Sequence, residues 1–153
     1  MIKDIEQIIA DKIASLTGTG GVKLFKTAKR WAFQTAAGAG GPHTFERYSP
    51  FAFVKYLSTD TDRAGGLDLV RTLNFAVSIG YHGADARGKV CDLLEEVIEA
   101  IDGKHPAELY TGVPEAIPTI SCDILLASGV DEVIESETDY AMQIVFEARM
   151  INT

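Results

Sequence analysis

A chain of 153 residues is long enough to build one packed core, and its 46% hydrophobic and 24% charged residues exclude both a disordered and a membrane-embedded class. Its 14 basic and 22 acidic residues leave a net charge of −8, a balance that repels phosphate backbones and argues against tight nucleic-acid binding unless the cations gather on one face. The two cysteines, Cys91 and Cys122, belong to no CxxC or Cys/His cluster, so two buried free thiols are expected rather than a disulfide or a metal pair.

Taken in chain order, Ile2, Ile5, Ile8, Ile9, Ile13 and Leu16 recur at spacings of three and four with charges between them, which predicts an amphipathic helix to about Leu16. Lys3, Asp4, Glu6, Asp11 and Lys12 exclude a signal-peptide apolar stretch and a membrane span in the same segment. With no targeting pattern, the cytoplasm is the expected compartment. The glycines around residues 18–21 stop the helix, and residues 22–25 predict a strand that could run on to Phe33. Residues 34–42 are small and favour no regular element, so a mobile loop is expected over residues 34–48.

Residues 51–57 (FAFVKYL) predict a short strand, followed by a polar turn over residues 58–66. The clearest alternation comes next: Leu67, Leu69, Leu73, Phe75, Val77, Ile79 and Tyr81 share one face of a long strand, with Arg71 interrupting it at the sheet margin or meeting a carboxylate. Asp85 is a candidate N-cap for a second helix with the stripe Val90, Leu93, Leu94, Val97, Ile98 and Ile101, ending at Gly103. A proline-punctuated loop with a short extended piece at residues 108–111 follows. Residues 120–127 predict a strand, residues 128–138 an acidic connection, and Tyr140, Met142, Ile144, Phe146, Ala148 and Met150 alternate down a last strand. The order predicts an α+β fold: a largely antiparallel sheet of four to five strands, built from two hairpins, with two helices packed on one face. The other face, with Thr72, Asn74, Ser78, Gln143, Glu147 and Arg149, is left to solvent or a neighbouring subunit.

The sequence holds no recognisable catalytic set. Neither glycine-rich stretch, residues 18–21 or 38–41, is followed by Lys-Ser/Thr, so phosphate-loop readings give way to flexible loops. Asp60, Asp62 and Asp68 superficially resemble a calcium loop but lack the further ligands and the closing glutamate. A divalent-metal hydrolase built on them is the enzyme alternative. His43, His82 and His105 have no metal-ligand spacing, and there is no GxSxG. No cofactor and no enzyme activity are therefore expected. The aromatic-basic run Phe45, Arg47 and Tyr48, together with Asp60, Asp62, Arg63 and Arg71, supplies the candidate contact residues for a subunit or partner.

The succession of helix, strand, long loop, FAFVKYL, polar turn, LDLVRTLNFAVSIGY, the helix ARGKVCDLLEEVIEAI and a closing hairpin ending DYAMQIVFEARM resembles bacteriophage tail terminators, in particular those of Mu-like contractile-tailed phages and prophages. The resemblance spans nearly the whole chain and consists of element order and hydrophobic pattern. It implies a ring, usually a hexamer, that caps the head-proximal end of the tail tube, ends tube polymerisation and presents a joining surface to the neck. The implied partners are other copies of the chain, the tail tube protein, and sheath and neck or connector proteins, with DNA only passing through the lumen. It also implies a place in the virion after assembly in the host cytoplasm. Another neck or tail-completion protein, or a small protein-binding module that adds a strand at a sheet edge, is the alternative.

Overall fold

The computed structural model of the chain describes residues 1–31, 43–64, 68–136 and 138–151, without the side chains at 43–45, 63, 64, 68 and 69. Helix α1 (Ile2–Ala14) buries Ile5, Ile8, Ile9, Ala10 and Ile13 on one face, the stripe its spacing dictates. It ends one turn before the glycines, where Ser15 Oγ donates to the Lys12 carbonyl at 2.6 Å. Gly20 and Gly21 follow in the left-handed region at φ +77° and +76°.

Strand β1 (Thr27–Arg30) comes next, then the one-and-a-half-turn helix α2 (His43–Tyr48), and then β2 (Phe51–Ala64) and β3 (Asp68–His82). Helix α3 (Ala86–Ile101), the single-turn α4 (Pro106–Leu109), β4 (Cys122–Glu135) and β5 (Asp139–Met150) complete the order. The five strands form one sheet in the order β1-β2-β3-β5-β4. Only β1 with β2 is parallel; the β2–β3, β3–β5 and β4–β5 pairs are antiparallel. The fold is therefore α+β with a mixed, mainly antiparallel sheet.

One core lies between this sheet and helices α1 and α3. It takes Ala52 and Val54 from β2, Leu73, Phe75, Val77 and Ile79 from β3, and Ile144, Phe146 and Ala148 from β5. Val90, Leu94, Val97 and Ile101 close it from α3. The alternation in β3 fixes which face is inward, since a one-residue slip would turn the whole apolar row outward. Asp85 precedes α3 with φ 55° and makes no side-chain capping bond. Its carboxylate instead lies against Gly88, with Oδ2 2.6 Å from where a β-carbon would stand.

Several expectations are corrected. Of the strand expected at residues 22–25 with a continuation to Phe33, only the continuation forms among the described residues, at Thr27–Arg30, where β2 offers a parallel partner; Phe25 is buried but contributes only to the core. Residues 58–64 are not a turn, because β2 runs through to Ala64 opposite Asp68. Residues 128–135 are likewise strand rather than connection. The extended piece expected at residues 108–111 is replaced by α4, whose start is tied by His105: its Nδ1 accepts from Ala107 N–H at 3.0 Å, and its Nε2 reaches the Cys122 carbonyl at 2.8 Å. Of the loop expected over residues 34–48, the part from His43 to Tyr48 is helical, and residues 34–42 lie outside the described residues, as do Gly66 and Leu67.

Candidate interaction surface

The face of the sheet away from the helices carries a second, smaller cluster. Period-two alternation puts Phe51 and Phe53 of β2 opposite to Ala52 and Val54, and Ala141 of β5 joins them. Trp31, directly after β1, meets Phe53 edge-on at 5.6 Å, and Tyr48 of α2 does so at 6.0 Å. Two cations sit on these rings: Lys29 Nζ is 5.1 Å from the Tyr48 centroid and 6.0 Å from that of Phe53, and the Arg47 guanidinium is 5.4 Å from Tyr48. Such contacts add about 0.5–1 kcal/mol each at exposed positions.

Phe51 lies flat over Gly80, where a β-carbon would come within 2.2 Å of its ring. The close approach explains a glycine within the long central strand. Beyond Phe53 the face dips into a shallow cleft of about 230 Å³ lined by Trp31, Phe53, Lys55, Ala76, Ser78, Val133 and Gln143. Its wall carries two aromatic rings, Trp31 and Phe53, and one lysine, Lys55.

The expected contact residues divide into two groups. Arg47 and Tyr48 belong to the aromatic cluster; Phe45 lies on α2, and its side chain is outside the described ones. Asp60, Asp62, Arg63 and Arg71 lie on the far half of the β2–β3 hairpin, where Thr61 opposes Arg71 and Arg63 opposes Leu69. The pairing of β3 with β5 begins only at Thr72, and β1 reaches no farther along β2 than Val54. Among the described residues the hairpin beyond Thr72 is thus a two-stranded arm. Arg71 has the parity of the core face, yet it is exposed.

Asn74, expected on a solvated face, is only 6% exposed. Its amide donates to Asp60 Oδ2 at 3.0 Å and to Ser58 Oγ at 3.3 Å beside a bulge in β2. This ties Asp60 to the base of the arm. Among the described residues no three His, Cys, Asp or Glu side chains are grouped to hold a metal ion.

The remaining polar clusters hold the structure together. His82 Nδ1 lies 2.6 Å from Asp139 Oδ1 on the neighbouring strand, and its Nε2 is 3.8 Å from Glu46 of α2. Ser49 Oγ accepts the His82 backbone N–H at 2.8 Å. Both ring nitrogens therefore face carboxylates while the serine is engaged with the main chain, a geometry unlike a nucleophile and its base. Glu6 of α1 receives the Arg30 guanidinium at 2.8 Å and, through its other oxygen, the Tyr56 N–H at 2.7 Å. One carboxylate thus closes the sheet where β1 ends. Tyr140 is buried and donates to Glu132 at 2.7 Å; that bond, then burial, raises its pKa. Burial, helped by the Asp123 carboxylate, pushes the Cys122 thiol up to about 11.

Lys29, Trp31 and Phe53 were absent from the expected contact residues. Lys29 and Trp31 alternate with Ala28 and Arg30, so a period-two reading of residues 27–31 would have grouped them. What that reading needed was the position of β1, which its own weak apolar content does not mark. Comparison of the sequence with protein-family models and with curated proteins gives no match.

Proposed function

We propose that this chain is a ring-forming structural protein of a phage virion. It caps the head-proximal end of the tail tube, stops tube growth and joins the tail to the neck, with other copies, the tube protein and neck proteins as partners. It works without a cofactor and as a scaffold rather than a catalyst. The observation that carries the reading is the β2–β3 arm. Beyond Thr72 no strand flanks it on either side among the described residues, and a two-stranded ribbon in water is marginal by itself. It carries exposed Asp60, Asp62 and Arg71, the chemistry of a polar contact with a neighbour. The aromatic and cationic cluster on the open face adds a second, different patch, as a heterologous ring requires.

Mass photometry of the purified chain, alone and with tail tube protein, tests the proposal, together with tube lengths seen by negative stain. Rings, and tubes that stop growing when the chain is added, are expected. A chain that stays monomeric and leaves tube length unchanged sinks it. If the chain instead retains an extended peptide from an unrelated protein, the small binding-module reading replaces it; the stretch of β4 from residue 129 to 135, which has only β5 as a strand neighbour among the described residues, is the observation that favours that alternative.

A further inference from the structure

The sheet is bounded by two edges, and they differ in charge. On the β4 side the chain closes its own edge as far as residue 127. Gly103 N–H donates to the Leu125 carbonyl at 2.7 Å, Leu125 N–H to the Lys104 carbonyl at 2.9 Å, and Ala127 N–H to Asp102 Oδ1 at 2.8 Å. From 129 to 135, β4 has only β5 as a strand neighbour among the described residues. This stretch exposes Val130, Val133 and Ile134 at 43%, 52% and 40%, alongside Asp131, Glu132 and Glu135. An edge strand of that length with outward apolar side chains is a template for a further strand. Its carboxylates oppose a second β4 laid against it, because like charges across a strand pair repel.

Among the described residues the opposite edge is β1. Thr27 N–H donates to the Pro50 carbonyl at 3.3 Å and Trp31 N–H to that of Val54 at 2.8 Å, so the alternation of a parallel strand turns the N–H groups of Ala28 and Arg30 outward. Lys26 and Lys29 are exposed beside them. The faces agree as well. Lys29 stands over the Tyr48 and Phe53 rings on the open face, and Asp131 is aligned with Gln143, which lines the cleft on that same face. A sheet continued from one molecule to the next keeps its faces.

We infer that residues 129–135 of one copy add as a further strand to β1 of a neighbouring copy, with Asp131 beside Lys29, so that the sheet runs on head to tail. The pairing is heterologous, since each copy offers one acidic and one basic edge. It rests on the reading of the chain as a self-assembling ring component and names the surfaces that close it.

The test is a charge swap in the full-length chain, read by native mass spectrometry and mass photometry across a concentration series, with circular dichroism to check folding. Asp131→Lys and Lys29→Asp each weaken assembly at least about ten-fold, because like charges then meet across the joint. The double variant Asp131→Lys/Lys29→Asp returns assembly to within about three-fold of the wild type, the tolerance expected of a restored exposed pair. Single variants that assemble like the wild type overturn the edge pairing while leaving the ring intact. Loss in the singles without recovery in the double overturns the Asp131–Lys29 contact. A wild-type chain monomeric at about 100 µM overturns the edge pairing and the ring together.

Discussion

Glu6 shows how much one side chain can hold in a small sheet. It lies on α1 at a position that the helical pattern alone assigns to the polar face, yet its two oxygens bind Arg30 and the backbone N–H of Tyr56. Glu6→Ala leaves a part-buried amide without an acceptor, so a loss of about 1–3 kcal/mol is expected in urea unfolding. Glu6→Gln, which keeps one acceptor, loses less. At Gly80 the constraint is steric: the Phe51 ring occupies the space of a β-carbon, and Gly80→Ala is expected to cost about 1–3 kcal/mol by overpacking. Cys122 has no exposed surface and a pKa of about 11, whereas Cys91 is half-buried. A thiol reagent at neutral pH is therefore expected to label Cys91 and to reach Cys122 only after unfolding; equal labelling of both in the folded state contradicts the burial. The raised pKa of Cys122 sets a sign for alkaline stability. Its contribution is complete below pH 9.0, the ordinary thiol value, and is lost as pH rises through about 11, since the unfolded thiol ionises first. Tyr140 acts in the same direction. Denaturation curves should thus shift to lower urea over that window, and less so in Cys122→Ala.

Helices α1 and α3 were legible because each buries one stripe against a sheet, and a stripe at 3.6-residue spacing is visible in sequence. β3 was legible for the matching reason at period two. The far half of β2 and the outer half of β4 were not. Residues 60–62 and 126–135 are exposed, so neither face selects apolar side chains and no alternation is written into them. Their strand conformation comes from pairing with β3 and β5, partners that a local reading does not hold. The start of β1 was set too early because Val22 and Phe25 are more apolar than Lys29 and Arg30, although only the latter meet β2. The arm beyond Thr72 also has a dynamic consequence. With one strand neighbour among the described residues, and with residues 60–62 and 71 exposed, its amides at Thr61, Asp62, Val70 and Arg71 are expected to exchange with solvent orders of magnitude faster than those of Phe75, Val77 and Ile79 in the sheet centre. Hydrogen-exchange mass spectrometry reads this directly, and uniform protection along the hairpin of the isolated chain contradicts it.

At the scale of the whole molecule, a surface that is acidic in sum resolves into an acidic edge at β4 and a cationic edge at β1. If these edges meet between copies, folding and association are linked, and the thermal midpoint is expected to rise by several degrees as protein concentration increases. A midpoint independent of concentration contradicts that linkage. None of this polarity is readable from a net charge of −8. The sequence by itself determined the two helices, the central strands, the α+β class and the apolar faces that these elements turn to the core, since local periodicity records burial. Tertiary structure alone decided that β1 pairs in parallel with β2, that an arm and an acidic edge extend past the core, and that Lys29, Trp31, Tyr48 and Phe53 form one surface. Those features depend on contacts between residues far apart in the chain, where pairing geometry rather than side-chain pattern sets the outcome.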